Sequence, residues 1–542
     1  MIKLNTFSED NPYSFEEFIA IRDNYNDFLD NDFLQKVARY YVKEELDTIY
    51  NELEALSLRV SSKWRHVSED IAKRENHPSI QHYNAFNRRI DEIVRPQQAL
   101  DMEREIFREG LFSKETTEWE QMLKRLILHH NGESGIMCPL ACTDGLIDLL
   151  EAFSNELNAD LKGILHHCKE GNDGDFGIGA QFMTEIQGGS NIPANVLKAV
   201  PEGDFYRLYG TKFFSSAIHA DYAVITAKVD QLEQVATFIV PSWTDKKDKR
   251  RNNFVVNRLK WKLGTSELPS AEVTYEGAKA YQIGPVDKGV ATAVGIVLTK
   301  SRLDIGSASS AFMLRSVREA LQYSQFREVF GKKINEFPLA AGQLQEIEKT
   351  AKRTTAALFS IYSMYFKQRK TINDRSLATK KSQFKLRELI LLQKVKAAED
   401  TVDTIRTSIS LFGGNGVIED FSSIPRLFRD AMVNELWEGP KNVLLTQIHR
   451  DMSKASSWYK PEELIEDILP HCDSCITNPL TKKLEQLLEH DLDSHPDEKS
   501  IQHARDWQEF CEHLFLKYQE EALKEVGDAP IVKDYQFKRQ LT

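Results

Sequence analysis

Apolar side chains recur at helical spacing through the first third of the chain. Phe33, Leu34, Val37, Ala38, Tyr41 and Val42 fall on one stripe, the repeat of a helix that buries one face. Like stripes predict helices around residues 119–129 and 143–157, with Pro96 and Pro139 marking breaks between segments. Ser14 followed three residues later by Glu17 has the pattern of a capped helix start. Residues 1–175 are expected to form an all-α domain.

The texture changes at residues 171–179, a glycine-rich stretch that predicts a turn-rich hinge. Beyond it, residues 205–209, 222–227, 235–240 and 271–275 are short runs rich in β-branched and aromatic side chains, separated by turns. They predict a small β-barrel or sandwich over residues 176–290. The helical period then returns with Ile305, Ala308, Ser309, Phe312, Val317 and Leu321, and continues in long helices over about 340–366, 386–411 and 442–454. Gly413 stands where a helix-ending glycine would. A helical bundle is thus expected over 291–454, followed by an acidic helical extension over 455–542. The class is α+β.

Composition narrows the function. With 542 residues the chain exceeds one small core, and 41% hydrophobic with 28% charged residues is an ordinary globular balance. A net charge of -12 repels a phosphate backbone, so nucleic acid is not expected as the main partner. The longest apolar run, residues 290–298, falls short of the roughly 20 residues that span a bilayer. No basic-then-apolar leader is read in the opening residues. Six cysteines form no disulfide framework and point to a reducing, cytoplasmic setting. Cys472 and Cys475 lack a second ligand pair at suitable spacing, so no metal is expected. Residues 245–253, rich in Lys and Arg, read as a solvated loop rather than a phosphate site.

Two stretches carry candidate chemistry. Residues 411–443 open on Gly413-Gly414-Asn415-Gly416 and lead to Trp437-Glu438-Gly439. A carboxylate beside an indole in a dry pocket has its charged form disfavoured, which moves its pKa towards that of a general base. A turn with an exposed acid would give the same three residues. The second stretch, Gln181 to Asn191, holds Thr184, Ser190 and paired glycines that could cradle a planar, hydrogen-bonding cofactor. A plain turn into the β domain is the alternative. Neither stretch is a dinucleotide fingerprint, because no G-x-G-x-x-G links a strand to a helix.

The order of the pieces resembles the acyl-CoA dehydrogenase family. The matching residues are Met183-Thr-Glu-Ile-Gln-Gly-Gly-Ser190, Gly210-Thr-Lys-Phe-Phe-Ser-Ser216, Lys262-Leu-Gly264, Arg327-Glu-Val-Phe-Gly331, Phe412-Gly-Gly-Asn-Gly416, Arg426-Leu-Phe-Arg-Asp430 and Trp437-Glu-Gly439. Chain length, the acidic tail and residues 83–91 look most like the large branch that includes the adaptive-response (alkylation-response) homologue.

The resemblance implies an FAD enzyme with a helical, β, helical core. Met183 and Thr184 would lie against the isoalloxazine, with Phe214, Ser215 and Ser216 lining its other side and Gly189 and Ser190 near flavin or ligand. Asn434, Trp437 and Gly439 would complete these contacts. Arg327 and Phe330 would hold the pyrophosphate, and Gly413 and Gly414 the adenosine half, of a flavin bound by a neighbouring subunit. Glu438 would be the catalytic base, with Arg302 supporting the active-site loops. Some relatives carry the base instead at the position of Ser301, which cannot serve. The partners implied are a fatty acyl-CoA or related thioester, an electron-transfer flavoprotein as acceptor, and further copies of the chain in a dimer or tetramer. The alternative is a flavin-holding, DNA-associated stress protein with little dehydrogenation. Departures from the family pattern are Phe214 for Trp, Pro440 for a small hydroxyl residue, Ser410 for Gln and Val417 for an aromatic.

Overall fold

The computed structural model describes residues 13–172, 174–370, 374, 376–492 and 495–528. The opening residues 1–12, Asp173 in the hinge and the end of the tail, 529–542, lie outside that set. Helices α1 (Glu16–Asn24), α2 (Asp32–Val42), α3 (Glu45–Ser61), α4 (Lys63–Ile71), α5 (Gln97–Phe107), α6 (Glu118–His129), α7 (Ser134–Ala152) and α8 (Ala159–Glu170) build the first third. The stripe read on α2 buries Phe33, Leu34, Val37, Ala38 and Val42.

Three expectations are corrected here. The first third is not all-α, because β1 (Ser79–Tyr83) and β2 (Arg89–Val94) form an antiparallel hairpin. Its apolar signal is thin; in the two strands Ile80, Tyr83, Ile90, Ile93 and Val94 punctuate a polar run. Instead, Asp91 holds it on the β domain by accepting from Val256 N at 2.9 Å and, through its carbonyl, from Arg251 at 2.8 Å. Ser14 does not cap with Glu17; its Oγ accepts from Glu16 N at 3.1 Å and Phe15 stands at the N-cap. Pro139 lies inside α7 rather than at a break. Glu133 caps that helix, accepting from Gly135 N and Ile136 N.

The middle of the chain is a barrel. Its strands are β3 (Gly179–Phe182), β4 (Lys198–Glu202), β5 (Phe205–Ser216), β6 (Tyr222–Val229), β7 (Val235–Pro241), β8 (Trp243–Asp245), β9 (Arg250–Arg251), β10 (Phe254–Leu259) and β11 (Ser270–Ile283). β11 pairs with β5, β5 with β4, β4 with β6, β6 with β7, and β7 returns to β11 over Tyr281–Ile283. That closes a ring of five strands and removes the edges an open sheet would expose. β3 and β10 extend it by pairing with β6 and β11, and β8 with β9 forms a separate ribbon. The cations of residues 245–253 are largely matched by acids: Arg250 with Asp245, Lys249 with Glu92 and Lys246 with Asp221.

The bundle begins at α9 (Gly289–Thr292), which runs through a wide π turn at Ala293–Leu298 into α10 (Thr299–Phe326). Such turns shift the phase of the side chains that follow and are frequent at functional sites. β12 (Glu328–Val329) and β13 (Lys332–Lys333) form a short hairpin before α11 (Pro338–Arg369), α12 (Leu377–Phe412), α13 (Ile424–Asn434) and α14 (Lys441–Ala455). α10 is buried on nearly every side, and its charges are met internally. Arg315 pairs with Glu319 at 2.9 Å and donates to the carbonyl of His130 at 2.6 Å.

The tail helices α15 (Pro461–Ile468), α16 (Ser474–Leu487) and α17 (Glu498–Glu525) pack back on the bundle. Trp507 Nε1 donates to Leu445 O at 2.9 Å and Gln519 Nε2 to Thr354 Oγ1 at 3.0 Å. Cys472 is half-buried and Cys475 exposed. Among the described residues, no group of three His, Cys, Asp or Glu is placed to hold a metal, and no helix is long and apolar enough to cross a membrane.

Candidate active site

One crevice, about 820 Å³, lies between the barrel, α7, α10 and the segment that joins α13 to α14. Met183, Thr184, Gly189, Ser190, Phe214, Ser216, Arg302, Asn434, Trp437, Glu438 and Gly439 all line it. Residues from three distant parts of the sequence therefore converge on one space.

The Met183–Ser190 loop is fixed from beneath by a buried ion pair. Lys212 on β5 donates to Glu185 Oε1 at 2.8 Å and to Met183 O at 3.2 Å, and both charged side chains are essentially inaccessible. Glu185 also accepts from Val196 N at 2.7 Å and Leu197 N at 3.2 Å. A buried pair needs these further hydrogen bonds to offset its desolvation. Burial pushes the Lys212 ammonium down to about 8, against the pull of Glu185. Gly189 folds back so closely that a Cβ would stand 2.5 Å from Thr184 Oγ1.

Strand alternation on β5 explains the opposite wall. Phe214 and Ser216 line the crevice, whereas Ser215 between them is buried, does not line it, and has an Oγ without a hydrogen-bond partner. Ser216 Oγ lies 2.9 Å from Ser270 Oγ, to which Lys262 Nζ donates at 3.0 Å. The Lys262-Leu-Gly264 turn docks the barrel on α13. A Cβ on Gly264 would fall 2.3 Å from Arg429 O, and Thr265 N donates to Asp430 Oδ1 at 2.5 Å.

Glu438 sits in a strained turn after α13. Its φ is +59°, unusual for a residue with a side chain, and Gly439 follows at +109°. Two cations from the bundle hold the turn. Lys394 of α12 donates to Glu435 O at 2.8 Å and Gly439 O at 2.6 Å, and Arg302 Nε donates to Glu438 O at 3.2 Å. The carboxylate Oε1 accepts from Gln181 Nε2 at 2.7 Å. Burial pushes the Glu438 carboxyl up to about 7, opposed by Arg302, Lys394 and the Gln181 hydrogen bond. Burial also brings the Lys394 ammonium down to about 7. A carboxyl poised near neutrality at the wall of a crevice has the property a general base requires. Pro440, a departure from the family pattern, serves as the N-cap of α14 with φ -67°.

Besides Ser215, four of the expected site residues do not reach the crevice of their own chain. Arg327 places its guanidinium 4.6 Å from the Tyr13 ring, and Phe330 at the tip of the β12–β13 hairpin is 98% exposed. Gly413 ends α12 with φ +61°, and a Cβ on Gly413 or Gly414 would meet nothing within 4 Å. Stacking of Tyr323 on Phe412, with centroids 4.4 Å apart, brings the two segments to one end of the bundle.

Sequence reasoning assigned no role to Gln181 or Lys394. Alternation along β3 could have found Gln181, since it stands two residues before Met183 and faces the same way. Lys394 lies in an apolar stretch of α12 and is 1% exposed, and nothing in the local pattern marks it.

A helix-rich first third, a closed barrel and a helical bundle meet at one crevice, with the buried Glu438 carboxyl in its wall. The chain belongs to the acyl-CoA dehydrogenase family: the model for the acyl-CoA dehydrogenase middle domain matches residues 180–278, and that for the C-terminal domain matches residues 287–453. AidB of Escherichia coli (strain K12) is 27% identical over 404 residues, covering 71% of this chain and 71% of that protein. Among solved structures, the apo form of Bd2924 is 26% identical with a TM-score of 0.79, covering 93% of this chain and 98% of that one. ACDH-11 of Caenorhabditis elegans, solved in complex with C11-CoA, is 23% identical with a TM-score of 0.75, covering 94% and 92%.

Proposed function

We propose that this chain is an FAD-dependent dehydrogenase of acyl-CoA thioesters in which Glu438 removes the α-proton. The observation that carries the reading is the set of restraints on Glu438: a carboxyl held by Gln181, on a turn whose backbone carbonyls are held by Arg302 and Lys394, and brought to about 7 by burial at the crevice wall. The crevice suits a flavin on its own terms. It holds about 820 Å³, with Phe214 and Trp437 as aromatic walls and the Thr184, Ser190 and Ser216 hydroxyls as edge partners. When bound, FAD supplies the acceptor for the hydride that leaves the β-carbon.

The chain's own residues do the rest. Met183, Phe214 and Trp437 give the crevice the apolar walls that keep water from the reacting atoms. Glu438 takes the α-proton, while Arg302 and Lys394 keep its turn in place and favour its ionised form. Cys138, Ala141, Cys142, Val294, Leu298 and Ile305 line the crevice on the α7 and α10 side, an apolar surface fit for an acyl chain. The C11-CoA named for ACDH-11 belongs to the same class of thioester. The half-buried Arg327 and the exposed Phe330, Gly413 and Gly414, together at one end of the bundle, would meet the pyrophosphate and adenosine of FAD in a neighbouring subunit. The working unit is then a homo-oligomer in the cytoplasm, reoxidised by an electron-transfer flavoprotein.

The base must be ionised to act, which fixes the sign of the pH dependence. Below about pH 7 the carboxyl is increasingly protonated, so the rate of flavin reduction by an acyl-CoA should rise with pH and level off a unit above that value. Anaerobic stopped-flow measurement across this range checks it. A rate that falls with rising pH, or a profile flat through neutrality, contradicts the reading.

A further inference from the structure

Glu438 offers two carboxylate oxygens, and the fold commits only one of them. Among the described residues, Gln181 is the one hydrogen-bond donor to the carboxylate, reaching Oε1 at 2.7 Å. The same Nε2 lies 3.1 Å from Ser301 Oγ, and that hydroxyl lies 3.4 Å from Gln181 Oε1. We propose that Gln181 is a positioning residue for the base: it holds Oε1 against the Ser301 side of the crevice and leaves Oε2 to take the proton. The inference rests on the reading of Glu438 as base.

The placement of Gln181 suits that role. It stands on β3, whose backbone is fixed by parallel pairing with β6 at Gln181↔Val224. Ser301 opens α10 just beyond the π turn, and its Oγ lies 3.4 Å from Val297 O within that turn. The amide is thus held between a strand and a helix. Its N–H side must face an ionised carboxylate, because the flipped amide would set oxygen against oxygen. A hydrogen bond donated to the charged form favours that form. Arg302 from α10 and Lys394 from α12 act in the same direction, and the buried Cys142 thiol faces Glu438 from α7. Glu388, also on α12, is within electrostatic reach of Arg302. Of these groups, only Gln181 touches a carboxylate oxygen; the two cations bond to backbone carbonyls.

The proton step balances. The Cα–H bond breaks, the proton bonds to Oε2, and Glu438 becomes a neutral acid. The electron pair left on Cα becomes the new double bond as hydride departs Cβ for the oxidised flavin. Held by Gln181, Oε1 keeps its hydrogen bond throughout, so the carboxyl need not rotate to receive the proton.

The test is Gln181→Leu, close in volume and without a donor. The first readout needs no cofactor: infrared titration of the Glu438 carboxyl in flavin-free protein, with Glu438→Gln identifying the band. Its midpoint should move upward by about one unit in Gln181→Leu. In flavin-loaded protein, reduction at about pH 6 should slow roughly tenfold and recover at high pH, because only the ionised fraction has changed. Gln181→Asn, which keeps the amide one carbon shorter, should recover part of the shift. Should Gln181→Leu fail to fold, Gln181→Met carries the same expectations. An unmoved midpoint, or an equal loss of rate at every pH, overturns the proposal. If Glu438→Gln still reduces the flavin, the base is elsewhere and both readings fall. If that variant is dead and Gln181→Leu shifts nothing, only the positioning role falls.

Discussion

Replacing Glu438 with Gln is expected to slow flavin reduction by an acyl-CoA by about 10²–10⁴-fold, the usual worth of a positioned general base. The flavin should stay bound. The substitution is nearly isosteric, and the contacts that hold the turn use the backbone carbonyls of Glu435, Glu438 and Gly439 rather than the carboxylate. It also removes a buried ionisable group, so the folded protein should be no less stable. Stopped-flow reduction together with the flavin content of the purified variant separates the two effects. Loss of flavin would mean that the carboxylate is structural, and an unchanged rate would mean that another group takes the proton.

The second large effect is expected far from the base. Lys212→Met should destabilise the protein by about 3–5 kcal/mol, because it leaves Glu185 charged, buried and without its cation. It also removes the donor to Met183 O, at 3.2 Å in the intact site. The loop from Met183 to Ser190 should therefore loosen, and flavin should be lost on purification even where the fold survives. Denaturant unfolding measures the first effect and visible absorbance the second. The double replacement Lys212→Met with Glu185→Leu removes both charges and should recover much of the stability, though not the loop geometry. A single variant as stable as the original would show that the pair contributes nothing net.

Much of this architecture was legible because apolar periods are long here. α11, α12 and α14 extend the predicted 340–366, 386–411 and 442–454 by only a few residues at each end, apart from the start of α12 at Leu377. The β runs were found too, but barrel closure was not. It depends on β11 changing partners, from β10 along Ala271–Tyr275 to β7 along Tyr281–Ile283, a tertiary pairing with no local signature. The β1–β2 hairpin escaped because Asp91 and its hydrogen bonds dock it, where periodicity records only apolar burial.

The candidate site was legible wherever a motif carried its residues. Met183, Thr184, Phe214, Trp437 and Glu438 were each named from the sequence, and the fold gathers them in one crevice. Ser215 was named with Phe214 and Ser216, but strand alternation turns it away. Lys394 could not be named at all, since a buried lysine in an apolar helix gains meaning only from the carbonyls it meets. The acidic balance that set nucleic acid aside belongs to the sequence, with its net charge of -12.

The central claim is that a flavin lies in the crevice with an acid aimed at the α-carbon of an acyl thioester. Anaerobic titration of the purified, flavin-loaded protein with acyl-CoAs of graded length, followed in the visible, tests it most directly. The account predicts stoichiometric bleaching by at least one chain length, lost in Glu438→Gln. A protein that takes up no flavin, or whose flavin stays oxidised with every thioester offered, contradicts it.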